Sequence, residues 1–448
     1  MDRRQRAERA EHIAADLSAR GVRQVALTWV DNAGITRVKA VPVKRLSHAA
    51  AWGVGMSPVF DAFLVDDSVA GGTRAGGPVG DLRLMPDLDR LSVLAAQPGW
   101  AWAPVYRLTQ EGAVYPGCQR AVAHAALADA ARHGLEFRMA FEVEWFLGTA
   151  DGFPVGEGPA YGMSRVVELS AYLDDLHAAL DAQDVPVDQF HPEYSPGQLE
   201  LSVGATDPVS AADRAVLVRQ TIRAVSKAHG YRVSFAPVVV AGQVGNGQHL
   251  HFSVRAGGRA LFSGGEGPHG LTADGESVLA GVLRRLPAFT AVGAPNVASY
   301  LRLQPQRWAA PWQCWGRENR EAALRLVTGS TGEGEVAANA ELKCVDGAAN
   351  PYLVVAAVTA IAAASHGRGE TLPPEVTVDP ATLPEGRRPQ RLPQSLPEAV
   401  AALRADDVLP TLFGPELLDA YCAVRTAEAA ALAGLKPQGI VEATRWRH

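Results

Sequence analysis

Hydrophobic and polar residues alternate with a period of two in several short stretches of the chain. The clearest is Met-Ala-Phe-Glu-Val-Glu-Trp-Phe at 139–146, and another follows a glycine-rich turn and runs over 249–253. Because residues i and i+2 of a strand point to the same side of a sheet, each stretch predicts a strand with one apolar face. Similar patterns predict strands at 100–106, 199–203 and 340–345, and a hairpin over 25–43 that turns at 31–34.

Helical spacing of apolar residues dominates most of the remaining chain. It predicts helices at 1–20, 120–133, 174–182, 209–229, 276–286, 350–366, 396–405 and 415–432. The helix at 350–366 is almost entirely apolar and has Pro351 in its first turn, where proline is tolerated, so we expect it to be buried. Glycines predict a loop at 71–80, and prolines predict an extended surface segment at 372–396. A small β-rich unit is expected to end near Gly117.

Two glutamates on one predicted strand give the strongest indication of chemistry. Glu142 and Glu144 are two residues apart, so their carboxylates lie side by side on one face. Like charges that close in an apolar run are unfavourable, and one carboxylate would take up a proton unless a cation were bound. The pair therefore predicts half of a metal site.

Other predicted strands and turns carry acid, imidazole or cationic side chains on one face in the same way. They contribute Glu193 and Glu200, then His249, His251 and Ser253, and finally Glu341 and Lys343. Five carboxylates with one imidazole suit magnesium or manganese better than zinc, which prefers more nitrogen and sulfur. Taken singly, each residue is more often a solvated surface charge, but the joint pattern favours a metal centre.

Composition limits the classes of function that remain. The 448 residues are 47% hydrophobic and 20% charged, as in an ordinary globular protein. A net charge of −6 and a pI near 6.1 argue against a general nucleic-acid binder. The longest apolar stretch, 352–364, is too short to cross a membrane, and residues 1–21 lack the apolar core of a signal peptide. With four widely spaced cysteines, which indicate reduced thiols, we expect a cytoplasmic protein with neither nucleic-acid nor membrane partners.

Six motifs, taken in their order along the chain, resemble the glutamine synthetase family. They are Glu-x-Glu at 142–144, the Pro-Gly-Gln motif within 193–200, Gly-x-Gly-x-His-x-His-x-Ser at 245–253, Ser-Tyr-x-Arg-Leu at 299–303, Asn-Arg-x-x-x-x-Arg at 319–325 and the run from Glu341 to Asn-Pro-Tyr-Leu at 350–353. The resemblance implies an α+β fold with a small N-terminal β-grasp domain over 1–117. The rest, 118–448, is then a large catalytic domain built round an open antiparallel half-barrel flanked by helices. Subunits of relatives form double rings, so a homo-oligomer of stacked rings is expected.

The resemblance also implies a set of functional residues, with ATP as cosubstrate and two or three Mg²⁺ or Mn²⁺ ions in each site. The ligands of the metal nearest ATP are Glu142, His249 and Glu341. The ligands of the metal nearest the side chain of the substrate are Glu144, Glu193 and Glu200. Substrate binding falls to Gly245, His249, Arg302 and Trp308, nucleotide binding to His251, Ser253 and Arg325, and catalysis to Asp61, Arg320, Arg325 and Lys343. Within these sets, Arg302 matches the arginine that holds the α-carboxylate of the substrate.

The chain departs from the family where ammonium binds. Glutamine synthetases have a glutamate six residues after the position of Arg302, on a flap that closes over the site, and this chain has Trp308 there. An indole cannot take a proton, but it can form an apolar or cation–π wall against a larger amine. The motif Phe-Asp-Gly-Ser-Ser, which helps to bind ammonium, is present only as Phe-Asp-Ala-Phe-Leu at 60–64, so Asp61 is kept among apolar neighbours.

Further departures lie near the nucleotide and the metal glutamate. A family lysine is replaced by Val238, Lys343 replaces the usual arginine two residues after Glu341, and Asn339 stands where an arginine often contacts the nucleotide. Lysine keeps the charge of arginine but loses its bidentate fork.

These changes keep the metal ligands and alter the ammonium side, a combination that resembles the glutamate–amine ligases of the family. The expected reaction joins the γ-carboxylate of glutamate to an alkylamine, ethanolamine or a polyamine through a γ-glutamyl phosphate. Three alternatives remain: a glutamine synthetase that uses ammonia, a non-catalytic regulatory relative, and a ligase that acts on an acid other than glutamate. The retained Asp61 supports the first of them.

Overall fold

The computed structural model describes residues 2–72 and 76–448. Within these ranges the helices are α1 (Arg3–Ala19), α2 (Leu46–Trp52), α3 (Gln119–Arg132), α4 (Met163–Glu168), α5 (Ser170–Asp181), α6 (Pro208–Ala228), α7 (Ala273–Gly293), α8 (Ser299–Arg302), α9 (Gly334–Ala337), α10 (Pro351–Ser365), α11 (Leu396–Ala405), α12 (Leu409–Ala431) and α13 (Pro437–Thr444). The strands are β1 (Gln24–Val30), β2 (Thr36–Pro42), β3 (Val54–Met56), β4 (Leu82–Pro86), β5 (Ser92–Val93), β6 (Trp100–Leu108), β7 (Leu135–Gly148), β8 (Val187–Pro192), β9 (Gln198–Val203), β10 (Arg232–Ser234), β11 (Leu250–Ala256), β12 (Arg259–Ala260), β13 (Trp312–Arg317), β14 (Ala322–Val327) and β15 (Asn339–Leu342). The glycine-rich loop predicted at 71–80 lies partly outside the described residues.

The first sheet lies in the N-terminal part of the chain and has the order β2-β1-β6-β4-β3, with β5 also paired to β6. The predicted hairpin forms, since β1 and β2 are antiparallel, and the Asp31 carboxylate accepts the backbone N–H groups of Ala33 and Ile35 in its turn. Strands β1 and β6 run parallel. Helices α1 and α2 pack together, and the buried side chains of Leu17 and Leu46 join the apolar side of this sheet.

The second sheet is larger and has the order β13-β14-β15-β11-β7-β9-β8, with β10 paired to β7 and β12 to β11. All its pairs are antiparallel except β13 with β14. Its long central strand β7 alternates as the sequence predicts: Phe141, Val143 and Trp145 are buried in the main core, while Glu142 and Glu144 lie on the other face. The predicted α+β class, with an open half-barrel sheet flanked by helices, is confirmed.

The apolar helix predicted at 350–366 is confirmed as α10, and it is buried. Asn350 caps it by accepting hydrogen bonds from the backbone N–H groups of Tyr352 and Leu353, and Pro351 occupies the first turn. The helix packs against α3, α6 and α7. None of the helices in the described part of the chain is long and apolar enough to cross a membrane.

Buried polar contacts join the region of the first sheet to helices α3, α10 and α12. The Asn350 side chain donates to the backbone carbonyls of Val30 and Asp31, and the backbone N–H of Val65 donates to Glu428. The Gln119 side chain, at the start of α3, donates to Asn32 in the β1–β2 turn. The division into domains at 1–117 and 118–448 stays a prediction.

Several elements were not predicted from sequence. Strand β8 lies at the sheet edge and exposes three consecutive side chains, two polar and one apolar, so it lacks the apolar alternation of β7. Strands β13 and β14 pair in parallel across a short connection, which a hairpin pattern does not signal. The predicted helix at 415–432 begins earlier, at Leu409, and bends where Gly414 has a φ of 68°.

Candidate active site

The polar face of β7 and the strands beside it place the predicted acids together. Glu200 lies directly opposite Glu144 in the antiparallel β7–β9 register. On the other side, the backbone N–H groups of Glu142 and Glu144 donate to the carbonyls of His249 and Gly247, which extends the β7–β11 pairing by a few residues. His249 thus precedes β11 rather than lying in it, but its ring still faces Glu142.

One cluster consists of Glu142, His249 and Glu341. The Nδ1 atom of His249 is 2.9 Å from Oε2 of Glu142 and 3.3 Å from Oε1 of Glu341. The ring of His251 lies next to this cluster, with its Nε2 atom 3.8 Å from Glu142 Oε2. The family resemblance implied Glu142, His249 and Glu341 as one ligand set, and the structure brings these three residues together.

A second cluster consists of His191, Glu193 and Glu200. His191 Nε2 is 3.0 Å from Glu200 Oε1, and its Nδ1 is 3.4 Å from Glu193 Oε1. The sequence predicted Glu144 as the third member of this set. Glu144 lies on the adjacent strand, directly opposite Glu200, and its carboxylate accepts a hydrogen bond from Gln198.

The carboxylates of the two clusters are largely buried and close to one another, and both conditions disfavour their charged forms. Burial raises the pKa of Glu200, and the neighbouring Glu142 and Glu144 raise it further. Burial also raises the pKa of Glu144, with a contribution from Glu193. Burial alone would raise the pKa of Glu142 as well, but hydrogen bonds from His249 and His251 outweigh it and hold that pKa well below its usual value.

A divalent cation fits this arrangement. The candidate ligand atoms in each cluster lie within 4.8 Å of one another, and carboxylate oxygens predominate among them. Hard cations such as Mg²⁺ and Mn²⁺ prefer such oxygens. A bound cation would also offset the repulsion that raises the pKa of Glu200 and Glu144.

Two cavities meet at the acid clusters. A cavity of about 370 Å³ is lined by the second cluster, by Glu142 and His249 of the first, and by Arg302, Trp308 and Lys343. A larger cavity of about 840 Å³ on the other side is lined by His251, Ser253 and Asn339. Glu142 borders both of them, so a molecule in the larger cavity reaches the acids of the smaller one.

Arg302 is buried beside the first cluster. Its Nη2 donates to His249 Nε2 at 2.9 Å and to the carbonyl of Lys343 at 3.2 Å. Among the described residues, its Nε and Nη1 atoms have no hydrogen-bond partner. A Cβ atom on Gly247 would lie 2.8 Å from Arg302 Nη2 and 2.6 Å from Glu144 Oε1, so a larger residue there would push these charged groups of the site aside.

Three other cations surround Glu341 and the smaller cavity. Lys343 Nζ is 3.1 Å from Glu341 Oε1, and Arg325 Nη1 is 2.9 Å from Oε2 of the same carboxylate. Arg320 is exposed and lines the smaller cavity. Burial alone would raise the pKa of Glu341, but Lys343 and the two histidines hold it well below its usual value.

Trp308 lies at the mouth of the smaller cavity, in a loop we call the flap, residues 304–311. Its side chain is 45% exposed, and its ring centroid is 4.9 Å from that of Tyr194. The two aromatic residues also border an adjoining cavity of about 410 Å³. A third aromatic residue, Tyr161, donates its hydroxyl to Glu193 at 2.8 Å and also lines the smaller cavity.

Known proteins resemble the chain over nearly its whole length. A family model described as the catalytic domain of glutamine synthetase matches residues 116–438. The chain belongs to the glutamine synthetase family.

Relatives and solved structures agree with this assignment. The gamma-glutamylpolyamine synthetase GlnA3 of Streptomyces coelicolor is 55% identical over 451 residues, which cover 98% of this chain and 97% of that protein. The gamma-glutamylanilide synthase of an Acinetobacter species is 26% identical over 94% of this chain and 90% of its own. A structure described as a novel glutamine synthase homolog has a TM-score of 0.86 and 31% identity, and covers 95% of this chain and 99% of that one. A GmaS complex with ADP has a TM-score of 0.84 and 26% identity, with coverage of 96% and 98%.

Enzymes of the glutamine synthetase family use ATP and divalent metal ions, which agrees with the two acid clusters and the adjoining cavities. The predicted enzyme class, an ATP-dependent carbon–nitrogen ligase, is confirmed at the level of the family. The roles of the individual residues stay predictions.

Asp61 does not lie in the active site of its own chain. It is 1% exposed, within the N-terminal sheet region, and its carboxylate pairs with the buried Arg107. The catalytic role that the resemblance implies for Asp61 stays a prediction.

Other residues of the glutamine synthetase-like site were not predicted from sequence. They are His191, Tyr161, Tyr194, Gln198, Glu318 and Glu321. Two of them had a signal in the sequence: Gln198 belongs to the Pro-Gly-Gln motif, and His191 lies two residues before Glu193.

Proposed function

We propose that the enzyme joins the γ-carboxylate of glutamate to an organic amine, with ATP converted to ADP and phosphate. The observation that carries this proposal is the aromatic pair Tyr194 and Trp308 at the mouth of the acid-lined cavity. In the resemblance described above, a flap carboxylate for ammonium belongs where Trp308 stands. The names of the polyamine and anilide relatives support an amine larger than ammonia.

The first step transfers the terminal phosphoryl group of ATP to the γ-carboxylate oxygen and gives γ-glutamyl phosphate and ADP. We place the nucleotide in the larger cavity, beside His251 and Ser253, and glutamate in the smaller one, beside Arg302. The two unpartnered nitrogens of Arg302 suit a bidentate contact with the α-carboxylate. Lys343, Arg320 and Arg325 are suited to stabilise negative charge on the transferring group.

Two or three Mg²⁺ or Mn²⁺ ions complete this site in our proposal. Glu142, His249 and Glu341 would hold one of them, and Glu144, Glu193 and Glu200 would hold another. When bound, such ions neutralise phosphate charge and orient the reacting oxygens. The buried carboxylates, whose pKa values are raised by burial and by one another, support this donor set.

In the second step the amine nitrogen attacks the γ-carbonyl carbon, phosphate leaves as the carbon–oxygen bond breaks, and the proton released by the nitrogen passes to water. The aromatic faces of Tyr161, Tyr194 and Trp308 can contact the cationic or apolar body of the amine. Glu193 accepts the Tyr161 hydroxyl and the backbone N–H of Tyr194, and it adds negative charge. The cavity of about 410 Å³ that Tyr194 and Trp308 border offers room for the rest of a long amine.

Product formation with a panel of amines tests the proposal. Purified enzyme with ATP, Mg²⁺ and glutamate should form γ-glutamyl amides from ethanolamine, alkylamines or di- and polyamines, detected by mass spectrometry beside ADP. Aspartate and 2-oxoglutarate in place of glutamate test the acid. Amide formation with ammonium alone, or no ATP turnover with any amine, would contradict the proposal.

Arg302→Lys is expected to weaken glutamate binding. Lysine keeps the charge but cannot offer the planar pair of donors, so we expect the KM for glutamate to rise about 10–100-fold with the KM for ATP little changed. Initial rates at varied glutamate concentration measure this. Arg317→Lys, at an exposed arginine outside both cavities, is the matched control. An unchanged KM for glutamate in the Arg302 variant would refute the assignment.

We also propose a homo-oligomer of stacked rings in the cytoplasm. Exposed apolar side chains support an interface: Met163 and Val167 are four residues apart on α4, and Phe153 precedes them. The four cysteines are free and buried, which suits a reducing compartment. Light scattering at micromolar concentration is expected to give a mass of many subunits, and Met163→Glu with Val167→Glu is expected to reduce it. A fully active monomer would contradict this proposal.

A further inference from the structure

The flap has an unusual backbone. Gln306, Trp308 and Ala310 have φ values of 59°, 54° and 52°, in the left-handed region that non-glycine residues rarely adopt. Each such residue is strained and persists only where surrounding contacts compensate. Three of them in alternate positions mean that the flap needs a specific partner to keep its shape.

Glu321 is that partner. Its Oε1 accepts the backbone N–H of Trp308 at 2.8 Å, and its Oε2 accepts the backbone N–H of Gln306 at 3.2 Å. The alternating backbone turns both amides to one side, so that they converge on a single carboxylate, as in other anion-binding turns. Glu321 is only 9% exposed, and Asn319 accepts the Glu321 backbone N–H at 3.0 Å, which fixes the base of the side chain.

The flap amides are the main compensation for the buried charge of Glu321. In the part of the chain that the structure describes, no arginine or lysine forms an ion pair with Glu321. Burial raises the pKa of Glu321, while the amides of Trp308 and Gln306 act against that rise. The other polar contacts of the flap tip, Arg307 with the carbonyl of Gly242 and Gln306 with Asp379, are exposed.

The position of Glu321 connects the flap to the phosphate side of the site. The residue follows Arg320, which lines the smaller cavity, and precedes β14, which carries Arg325. The same short connection between β13 and β14 therefore carries a cation for the phosphoryl group and the anchor for Trp308. Glu321 itself lines neither cavity, so a change in its carboxylate alters the anchor of the indole and not a group that lines either cavity.

We propose that Glu321 is a positioning residue that holds Trp308 over the cavity, so that the acyl phosphate reacts with the amine rather than with water. This inference rests on the proposed function. If the flap is loose, water attacks the γ-carbonyl carbon of γ-glutamyl phosphate, the carbon–oxygen bond to phosphate breaks, and glutamate is regenerated. The net result of that side reaction is hydrolysis of ATP to ADP and phosphate.

Glu321→Gln tests the proposal, since it keeps the shape of the side chain. One oxygen becomes an NH₂ group that faces a backbone N–H, so a flap amide loses its acceptor. We expect the ratio of ADP to amide to rise from near one to about three or more, and kcat/KM for the best amine to fall about tenfold. The KM values for ATP and glutamate are expected to stay within about twofold of wild type.

Two further variants make the result specific. Glu276→Gln removes the same charge from a carboxylate that accepts one backbone N–H, that of Leu372, away from the flap, and the ratio should stay near one. Trp308→Ala keeps the backbone donor but removes the indole, so combining it with Glu321→Gln should add little to either single change. If Glu321→Gln does not fold, Glu321→Asp, which draws the carboxylate back by one methylene, should give an intermediate ratio.

An unchanged ADP-to-amide ratio in the Glu321 variants would overturn the inference, even if overall activity fell. Additive effects with Trp308→Ala would also overturn it, because Glu321 would then act by another route. Wild-type enzyme that forms no amide from any amine would instead contradict the proposed function itself.

Discussion

Glu200→Ala is expected to lower glutamate-dependent ADP release by at least about a thousandfold. Losing this carboxylate leaves a divalent ion with too few oxygen ligands, and such an ion supplies several kcal/mol of charge stabilisation to phosphoryl transfer. Since about 1.4 kcal/mol corresponds to a factor of ten in rate, the loss is large. Glu144→Ala is expected to behave in the same way. ADP release by a coupled assay at saturating ATP and glutamate measures both.

A stability measurement separates loss of metal binding from loss of folding. Burial and the neighbouring Glu142 and Glu144 raise the pKa of Glu200, so removing it should relieve repulsion when metal is chelated. The thermal midpoint of the variant with a chelator should therefore equal or exceed that of wild type. Added Mg²⁺ should raise the wild-type midpoint and raise that of the variant much less.

Glu416→Ala, at an exposed glutamate on α12, is the matched control and should keep both activity and the response to Mg²⁺. Near-normal turnover in either Glu200→Ala or Glu144→Ala would refute the metal assignment. So would a response to Mg²⁺ in the variants as large as that of wild type.

The sequence predicts the acid cluster because the cluster follows from local periodicity. Glu142 and Glu144 lie on one face of β7, opposite a face formed by Phe141, Val143 and Trp145, and a period of two requires this. The same rule orients Glu341 on β15. These residues meet once neighbouring strands pair, and the family motifs already indicated their order.

His191 and Glu321 show what such patterns leave open. The place of His191 depends on the β8–β9 register, which shifts between Val187 and Gln189, and no sequence rule gives that irregularity. Glu321 acts on the backbone of a loop 13 and 15 residues earlier. That contact depends on a left-handed backbone at non-glycine residues, which sequence does not predict.

Asp61 was assigned from a short motif, and its environment depends on partners far along the chain. It pairs with Arg107, and that guanidinium also donates to Gln119 at the start of α3. Such a buried network is visible only after the N-terminal sheet has been packed against the rest. The motif therefore predicts the residue but not its surroundings.

Trp308→Glu is expected to change which amine the enzyme prefers. Wild-type enzyme should favour a primary alkylamine, an amino alcohol or a polyamine over ammonium by at least about tenfold in kcat/KM. Such a factor equals about 1.4 kcal/mol, or about two methylenes buried against the indole and Tyr194 at about 0.8 kcal/mol each. A glutamate at this position would stabilise ammonium by charge and could take its proton, a contribution of about 10²–10⁴ when well placed.

The structure makes this substitution informative, because it leaves the flap anchored. The backbone N–H of Trp308 still donates to Glu321 in the variant, so the new carboxylate should point into the same cavity mouth. Rates with ammonium should then rise while rates with the larger amine fall, and the KM for glutamate should not change.

Trp52→Glu is the control, since Trp52 is 52% exposed on α2 and its substitution should leave the amine preference unaltered. If wild-type enzyme uses ammonium as efficiently as any larger amine, or if Trp308→Glu leaves the ratio unchanged, the aromatic pair does not select the amine.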